Sequence, residues 1–205
     1  MLDLYTWGTP NGRKVSIMLE ELALEYNVIS INIGQDEQMT PEFLALNHNH
    51  KIPVLVDKNQ DPEIVLAESG AILIYLAEKH GKFLPTDVHK RAEVMQWLMF
   101  QMGGFGPILG QGHHFLKYNP GHGEYAENRF RNEIRRLYGV LNQQLEGQHY
   151  VAGDYSIADM AMYPWAARYE WHQIDLGDFP AVKAWFDRLS DRSAVSRGME
   201  VPFLN

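Results

Sequence analysis

The polarity pattern of the chain changes period near residue 82. Before that point, short apolar runs with a period of two are interleaved with helical faces; beyond it every apolar face repeats at helical spacing. Leu4 to Lys14 reads as a short strand, a tight turn and the first turn of a helix. Val15, Met18, Leu19 and Leu22 then continue at the i, i+3, i+4, i+7 spacing of one buried face. Tyr26 to Ile33 alternates as a strand does. Thr40-Pro41 has the form of an N-cap followed by Pro at the first helical position, opening a short helix through Leu46. Lys51–Asp57 and Glu63–Ala67, separated by residues 58–62, predict a hairpin. A helix then runs from Glu68 to Lys79 through Ile72, Leu73 and Leu76. Residues 81–87 form a Gly- and Pro-punctuated connector. Further on, Met95, Leu98, Met99 and Met102 predict one helical face. Phe130, Ile134, Leu137, Leu141 and Leu145 predict a longer one, and Val182, Trp185, Phe186 and Leu189 a third. The expected organisation is an α+β chain of two domains: residues 1–80 in the order βαβαββα, a linker at 81–87, and an all-helical domain at 88–205.

Composition narrows the chemistry. A net charge of −8 argues against a general nucleic-acid binder, which must neutralise phosphates with a basic surface. No apolar run approaches the ~20 residues that span a bilayer, and Met1-Leu2-Asp3-Leu4 lacks the basic and apolar regions of a signal peptide. No membrane partner is expected, and the cytoplasm is the expected location. There is no cysteine. That rules out disulfides, thiolate metal sites and a nucleophilic or redox-active cysteine of the protein's own. Any sulfur in the reaction arrives with a small molecule.

Several stretches could carry that reaction. Thr9 and Asn11 flank a turn at the positive end of the first helix, where backbone N–H groups favour an anion; a plain helix cap would use the same residues. The element order of the first domain is the thioredoxin-like arrangement, and Ile52-Pro53 falls where that fold carries a cis-proline. A cis bond there leaves the Ile52 backbone N–H and C=O open to an extended ligand added like a strand. The sequence does not fix the isomer. Glu68-Ser69 opens a helix and offers a second anion site. Ser156 with Asp159 three residues on is a relative of the capping box and opens another helix. Pro164 is expected to kink the helix that follows. The five glycines from Gly103 to Gly112 are expected to interrupt or end a helix. His113-His114 lacks the i, i+4 pairing of a helical metal site, so no metal is expected.

Tyr5 to Lys14, Lys51-Ile52-Pro53 and Glu68-Ser69-Gly70-Ala71-Ile72 resemble the N-terminal domain of the cytosolic glutathione transferases. More narrowly, Thr9-Pro10-Asn11-Gly12 followed by Lys14 resembles the nu class and the related fungal Ure2-like proteins. The resemblance implies glutathione as co-substrate, with two molecules or one glutathione disulfide per subunit, bound in a cleft between the domains. It matches Asn11, Gln38, Ile52, Glu68 and Ser69 to glutathione contacts, and Arg129 to an arginine reaching in from the helical domain. Glutathione lying along the Ile52-Pro53 edge would place its γ-glutamyl carboxylate at the start of the Glu68-Ser69 helix. Its ammonium would pair with Glu68, and its glycyl end would lie near Gln38 and Lys51. The sulfur would meet Thr9 and Asn11, the catalytic residues in this reading, acting as donors to a thiolate; Tyr5, inside the strand, is read as packing. The Gly103 to Phe115 run is read as the floor for a second ligand. The resemblance also implies that Ser156 and Asp159 are a folding element of the core, assigned to stability and not to catalysis. A homodimer is carried over from the same resemblance.

Three activities compete. Thiol–disulfide exchange between glutathione and a small-molecule disulfide is favoured by the nu-class features. Conjugation of glutathione to an electrophilic carbon is the alternative. A catalytically silent regulatory module of the Ure2 sort is the third, and the lack of a long low-complexity N-terminal extension counts against it.

Overall fold

In the first eighty residues the alternating runs become strands and the period-3.6 runs become helices, in the expected order. The computed structural model describes residues 1–202. Strands β1 (Leu2–Thr6), β2 (Tyr26–Ser30), β3 (Val54–Asp57) and β4 (Ile64–Ala67) form one sheet in the order β2-β1-β3-β4. β1 and β2 are parallel, joined across helix α1 (Pro10–Glu21); β3 runs antiparallel to both β1 and β4. Helix α2 (Pro41–Leu46) precedes β3 and helix α3 (Ser69–His80) follows β4. β2 stops at Ser30, earlier than the alternation suggests, because a one-turn 3-10 helix begins at Ile33.

The chain divides into two compact units, and helix α9 (Ser193–Glu200) belongs with the first. The sequence reading placed this segment in the 88–205 helical domain. Its amphipathic pattern says that one face is buried but not against what. Gly198 is the reason it reaches α1, since a Cβ there would lie 2.5 Å from the Ile17 Cα. The Ser16 hydroxyl donates to the Gly198 carbonyl at 2.6 Å, and Arg192 forks onto Glu21 at 2.7 and 2.8 Å. Packed between α3 and α9, α1 buries Lys14 through Leu19 without a break.

The second unit, residues 83–191, contains α4 (Val88–Phe100), α5 (Gly106–Gly112), α6 (Glu124–Leu145), α7 (Ile157–Ala166) and α8 (Pro180–Ser190). The predicted faces of α6 and α8 are buried, Phe130 and Phe186 at their edges being half-buried. That of α4 is shifted: Val94, Trp97 and Leu98 face inward while Met99 is exposed.

The glycine-rich run departs from expectation. It does not break the helix. Wide π-type turns at Gln101–Phe105 and His113–Tyr118 bracket α5 in a continuous helical stretch. Two of the glycines serve close packing: a Cβ on Gly106 would lie 2.5 Å from Gln101 Nε2 and 3.2 Å from the Gln101 carbonyl oxygen, and one on Gly112 2.5 Å from Ile134 Cδ1. Pro164 lies inside α7, which continues to Ala166. Ser156 and Asp159 form a complete capping box.

Candidate active site

The strand registers bring the separated motifs to one end of the sheet. Tyr5 of β1 pairs with Ile29 of β2 and Val54 of β3, and Val54 pairs with Ala67 of β4. The chain therefore leaves β1 toward Thr9, leaves β2 toward Gln38, enters β3 from Pro53, and leaves β4 into Glu68 and Ser69, all at the same sheet edge. Two helix N-termini, those of α1 and α3, start there.

Thr9 is the N-cap of α1. With φ −104° and ψ 159° it stands outside the helix, and its Oγ1 accepts the Gly12 N–H at 3.3 Å. A hydroxyl that accepts from the backbone still has its own proton to donate outward. Pro10 occupies the first helical position, where a missing N–H costs nothing. Asn11, half-buried, is in the first turn of α1. Gly12 lets that turn close onto the strand: a Cβ would sit 2.5 Å from the Trp7 carbonyl oxygen and overlap Thr6 Oγ1.

The Ile52–Pro53 peptide is cis, with Pro53 buried, Ile52 half-buried and Lys51 exposed. Ladder pairing of β3 begins at Val54, so Ile52 stands just beyond the sheet hydrogen bonds. Across the strand ends, Glu68 has φ 68° and ψ 109°, a conformation uncommon for any residue but glycine. Such strain persists only where the surroundings impose it, and it collects at functional sites. Here it delivers the chain abruptly from β4 into α3, leaving the Glu68 side chain exposed and Ser69 buried at the helix start. Gln38 lies in a 3-10 turn, its Nε2 donating to Asp36 Oδ1 at 3.4 Å while its buried Oε1 has no hydrogen-bond partner.

Lys14 carries a role that sequence reading did not assign. From the second turn of α1 its Nζ donates to the Ser69 hydroxyl at 3.4 Å, linking the two helix starts. The residue is only 1% exposed. Burial pushes its ammonium down to about 7, against the opposing pull of the Glu68 charge. The one available signal was a lysine inside the otherwise buried run from Lys14 to Leu19, at a position where a solvated face is the ordinary expectation.

Arg129 stands apart from these residues in sequence and unit. It lies on α6, exposed, lining a surface pocket of about 480 Å³ with Tyr125, Asn128 and Arg136. His113 and His114 separate in role. His114 is exposed, whereas His113 is buried and stacks on Trp165, with its Nε2 2.9 Å from His172 Nε2. Tyr138 OH is 3.1 Å from His172 Nδ1, completing a buried chain. Burial and the Arg168 charge push His113 down to about 4, and burial, His113 and Arg168 hold His172 well below the usual histidine range. Both imidazoles are therefore neutral at neutral pH, and His113 is a core residue of the helical unit. Among the described residues no group of three or more His, Cys, Asp and Glu side chains could hold a metal, and no helix is long and apolar enough to cross a membrane.

Known proteins share this fold. Residues 1–78 match the glutathione S-transferase N-terminal domain model and residues 107–193 the C-terminal domain model. The chain is 45% identical over 203 residues to the disulfide-bond oxidoreductase YfcG of Escherichia coli, spanning 97% of this chain and 94% of the relative. A glutathione transferase from Burkholderia graminis, solved with two glutathione molecules per subunit, superposes with a TM-score of 0.93 at 43% identity, covering 100% of this chain and 89% of that one. One from Pseudomonas putida, solved with one glutathione disulfide per subunit, gives 0.92 at 42% identity over 98% and 91%. With both domain models matched in order, and relatives alike over nearly their whole length, the chain belongs to the glutathione S-transferase family.

Proposed function

We propose that the chain is a glutathione-dependent disulfide-bond reductase that stabilises a glutathione thiolate at Thr9 and Asn11. The observation that carries this reading is the convergence of Thr9, Ile52-Pro53 and Ser69 at one sheet edge in a protein with no cysteine. A thioredoxin-like domain without its own thiol can run disulfide chemistry only with borrowed sulfur. Glutathione then adds along Ile52 as an extended strand. Its γ-glutamyl carboxylate meets Ser69 and the start of α3, its ammonium pairs with Glu68, and Gln38 and Lys51 hold the glycyl end. Arg129 is proposed as a further glutathione ligand on the strength of the resemblance.

In the reaction, the bound thiolate attacks one sulfur of a small-molecule disulfide. A new S–S bond forms as the old one breaks, and the leaving thiolate takes up a proton. A second glutathione thiolate attacks the mixed disulfide, releasing glutathione disulfide and the second thiol. Two glutathiones are oxidised and one disulfide is reduced, and no covalent intermediate forms on the protein. The protein contributes orientation and a lower thiol pKa. From a cysteine-like ~8.5, each unit of lowering takes roughly 1.4 kcal/mol of preference for the thiolate, and two donors with a helix N-terminus can supply one to two units.

Protein purified from its own gene is expected to reduce bis(2-hydroxyethyl) disulfide with glutathione faster than it conjugates 1-chloro-2,4-dinitrobenzene, both followed at saturating glutathione. Equal or faster conjugation with negligible disulfide turnover would replace this reading by the carbon-transfer one. We further propose a cytoplasmic homodimer, following the family.

A further inference from the structure

Away from the candidate glutathione site, three groups of the helical unit touch in a line. Tyr138 of α6 is fully buried, as is His172 in the 3-10 turn Tyr169–His172; His113, in the wide turn after α5, is 7% exposed and forms the outer end. Tyr138 OH lies 3.1 Å from His172 Nδ1, and His172 Nε2 lies 2.9 Å from His113 Nε2. The two imidazoles are parallel within 5°, with centroids 4.9 Å apart, so they meet edge to edge through those nitrogens. Two facing ring nitrogens bond only when one carries a proton and the other a lone pair. Among the described residues the Tyr138 hydroxyl has His172 as its one hydrogen-bond partner. Were His172 Nδ1 to donate to it, the hydroxyl proton would be buried without an acceptor, which is unfavourable. Tyr138 therefore donates to His172 Nδ1, His172 donates from Nε2 to His113 Nε2, and His113 carries its own proton on Nδ1.

We propose that Tyr138, His172 and His113 form a proton-ordered relay, each donating to the next toward the surface, and that the relay is an acid-sensitive latch joining α6 to the two turns that carry the histidines. The latch is complete only with both histidines neutral. A proton added at His113 Nε2 meets the His172 N–H unless His172 moves its own proton to Nδ1. The Tyr138 hydroxyl must then turn away, leaving a buried donor unpaired. A second added proton sets two N–H groups head to head. The surroundings oppose even the first proton. Burial, with the Arg168 charge, pushes His113 down to about 4, and burial, His113 and Arg168 hold His172 well below the usual histidine range. Arg168 and Lys117 both lie over the Trp171 ring, which meets His113 edge-on, and Arg168 is bonded to Tyr118. Of the other titratable groups on packed elements, Arg131 is engaged by Gln173 and Asn128, Arg135 by Asp178, and Tyr163 by Ser190, while His114, Glu170 and Asp175 are exposed. Helix α5 carries no titratable side chain, and Asp159 of α7 is bound at that helix's cap.

An unfolded histidine takes up its proton near pH 6.5, whereas folded His113 stays neutral to about 4. Between those values the unfolded chain binds more protons. The latch's contribution to stability is therefore complete above pH 6.5 and is lost as pH falls toward about 4. Asp159, pushed up to about 6 by burial, works in the opposite sense, so a variant supplies the comparison. His113→Gln can still accept from His172 Nε2–H but cannot titrate. From pH 7.5 to pH 5 the melting temperature of the unaltered full chain is expected to fall roughly 5 °C further than that of His113→Gln. Equal falls would overturn the latch. Side-chain nitrogen–proton correlation NMR spectra of the unaltered chain at pH 7 are expected to show His172 protonated at Nε2 and bare at Nδ1, and His113 protonated at Nδ1 and bare at Nε2. The reverse order, or either imidazole carrying two protons at pH 6, would overturn the relay. The spectra decide even if the variant does not fold.

Discussion

Gly12→Ala is expected to lower kcat/KM for glutathione-dependent disulfide reduction by roughly 100-fold or more. The added Cβ would sit 2.5 Å from the Trp7 carbonyl oxygen and would overlap Thr6 Oγ1. Neither neighbour can give way readily: one is backbone, and Thr6 is fully buried at the end of β1. The first turn of α1 must withdraw from the strand. That withdrawal breaks the Gly12 N–H bond to Thr9 Oγ1 and displaces Thr9 and Asn11 together, and a misplacement of ~1 Å in a positioned site can cost about 100-fold in rate. Gly139→Ala, in the middle of α6, is the control, because nothing lies within 4 Å of a Cβ there. Steady-state rates with circular dichroism on both variants check the claim. Turnover of Gly12→Ala within twofold of the unaltered protein would show that the turn tolerates the shift.

The second large effect is on stability. Asp159, fully buried, accepts from the Val151 and Ser156 amides at 3.0 Å each, from the Ser156 hydroxyl at 3.2 Å, and from Trp185 Nε1 at 2.9 Å. It thus ties the loop before α7, the α7 cap and α8 to one carboxylate. Asp159→Ala leaves these buried donors without an acceptor, at ~1–3 kcal/mol for each that finds none. A loss of about 4 kcal/mol is expected, which for a chain of this size lowers the melting temperature by roughly 10 °C. A change of less than ~2 °C would mean that water or a neighbour replaces the carboxylate. Glutathione binding by the variant below its melting transition is expected to persist, since no role toward the ligand is assigned to Asp159.

The sheet-end motifs were readable because each obeys a local rule. Thr9-Pro10 and Thr40-Pro41 announce helix starts, and both threonines cap as those rules require. Period-two runs gave the strands, and the capping box at Ser156 was legible from spacing alone. What escaped depends on contacts distant in sequence. Lys14 looks like an ordinary solvated helix charge until Ser69, 55 residues away, is seen to receive it. The glycines from Gly103 to Gly112 look like breakers because propensity counts backbone freedom. Two of them are instead spacers against Gln101 and Ile134, and wide helical turns absorb the rest. His113 finds its partner in His172, on a segment whose pattern says nothing of histidine chemistry. The place of α9 was hidden for the same reason, because periodicity reveals a buried face but not its partner.

The account turns on Thr9 and Asn11 as donors to a sulfur anion that the protein borrows. The most direct measurement is the ultraviolet thiolate absorbance of bound glutathione as a function of pH, in the unaltered protein and in Asn11→Ala. In the unaltered protein the bound thiol is predicted to half-ionise one to two units below the ~8.5 of a free cysteine thiol, and Asn11→Ala is predicted to move that midpoint upward. A midpoint at the free-thiol value, or one that Asn11→Ala leaves in place, would contradict the account and return the turn to a plain helix cap.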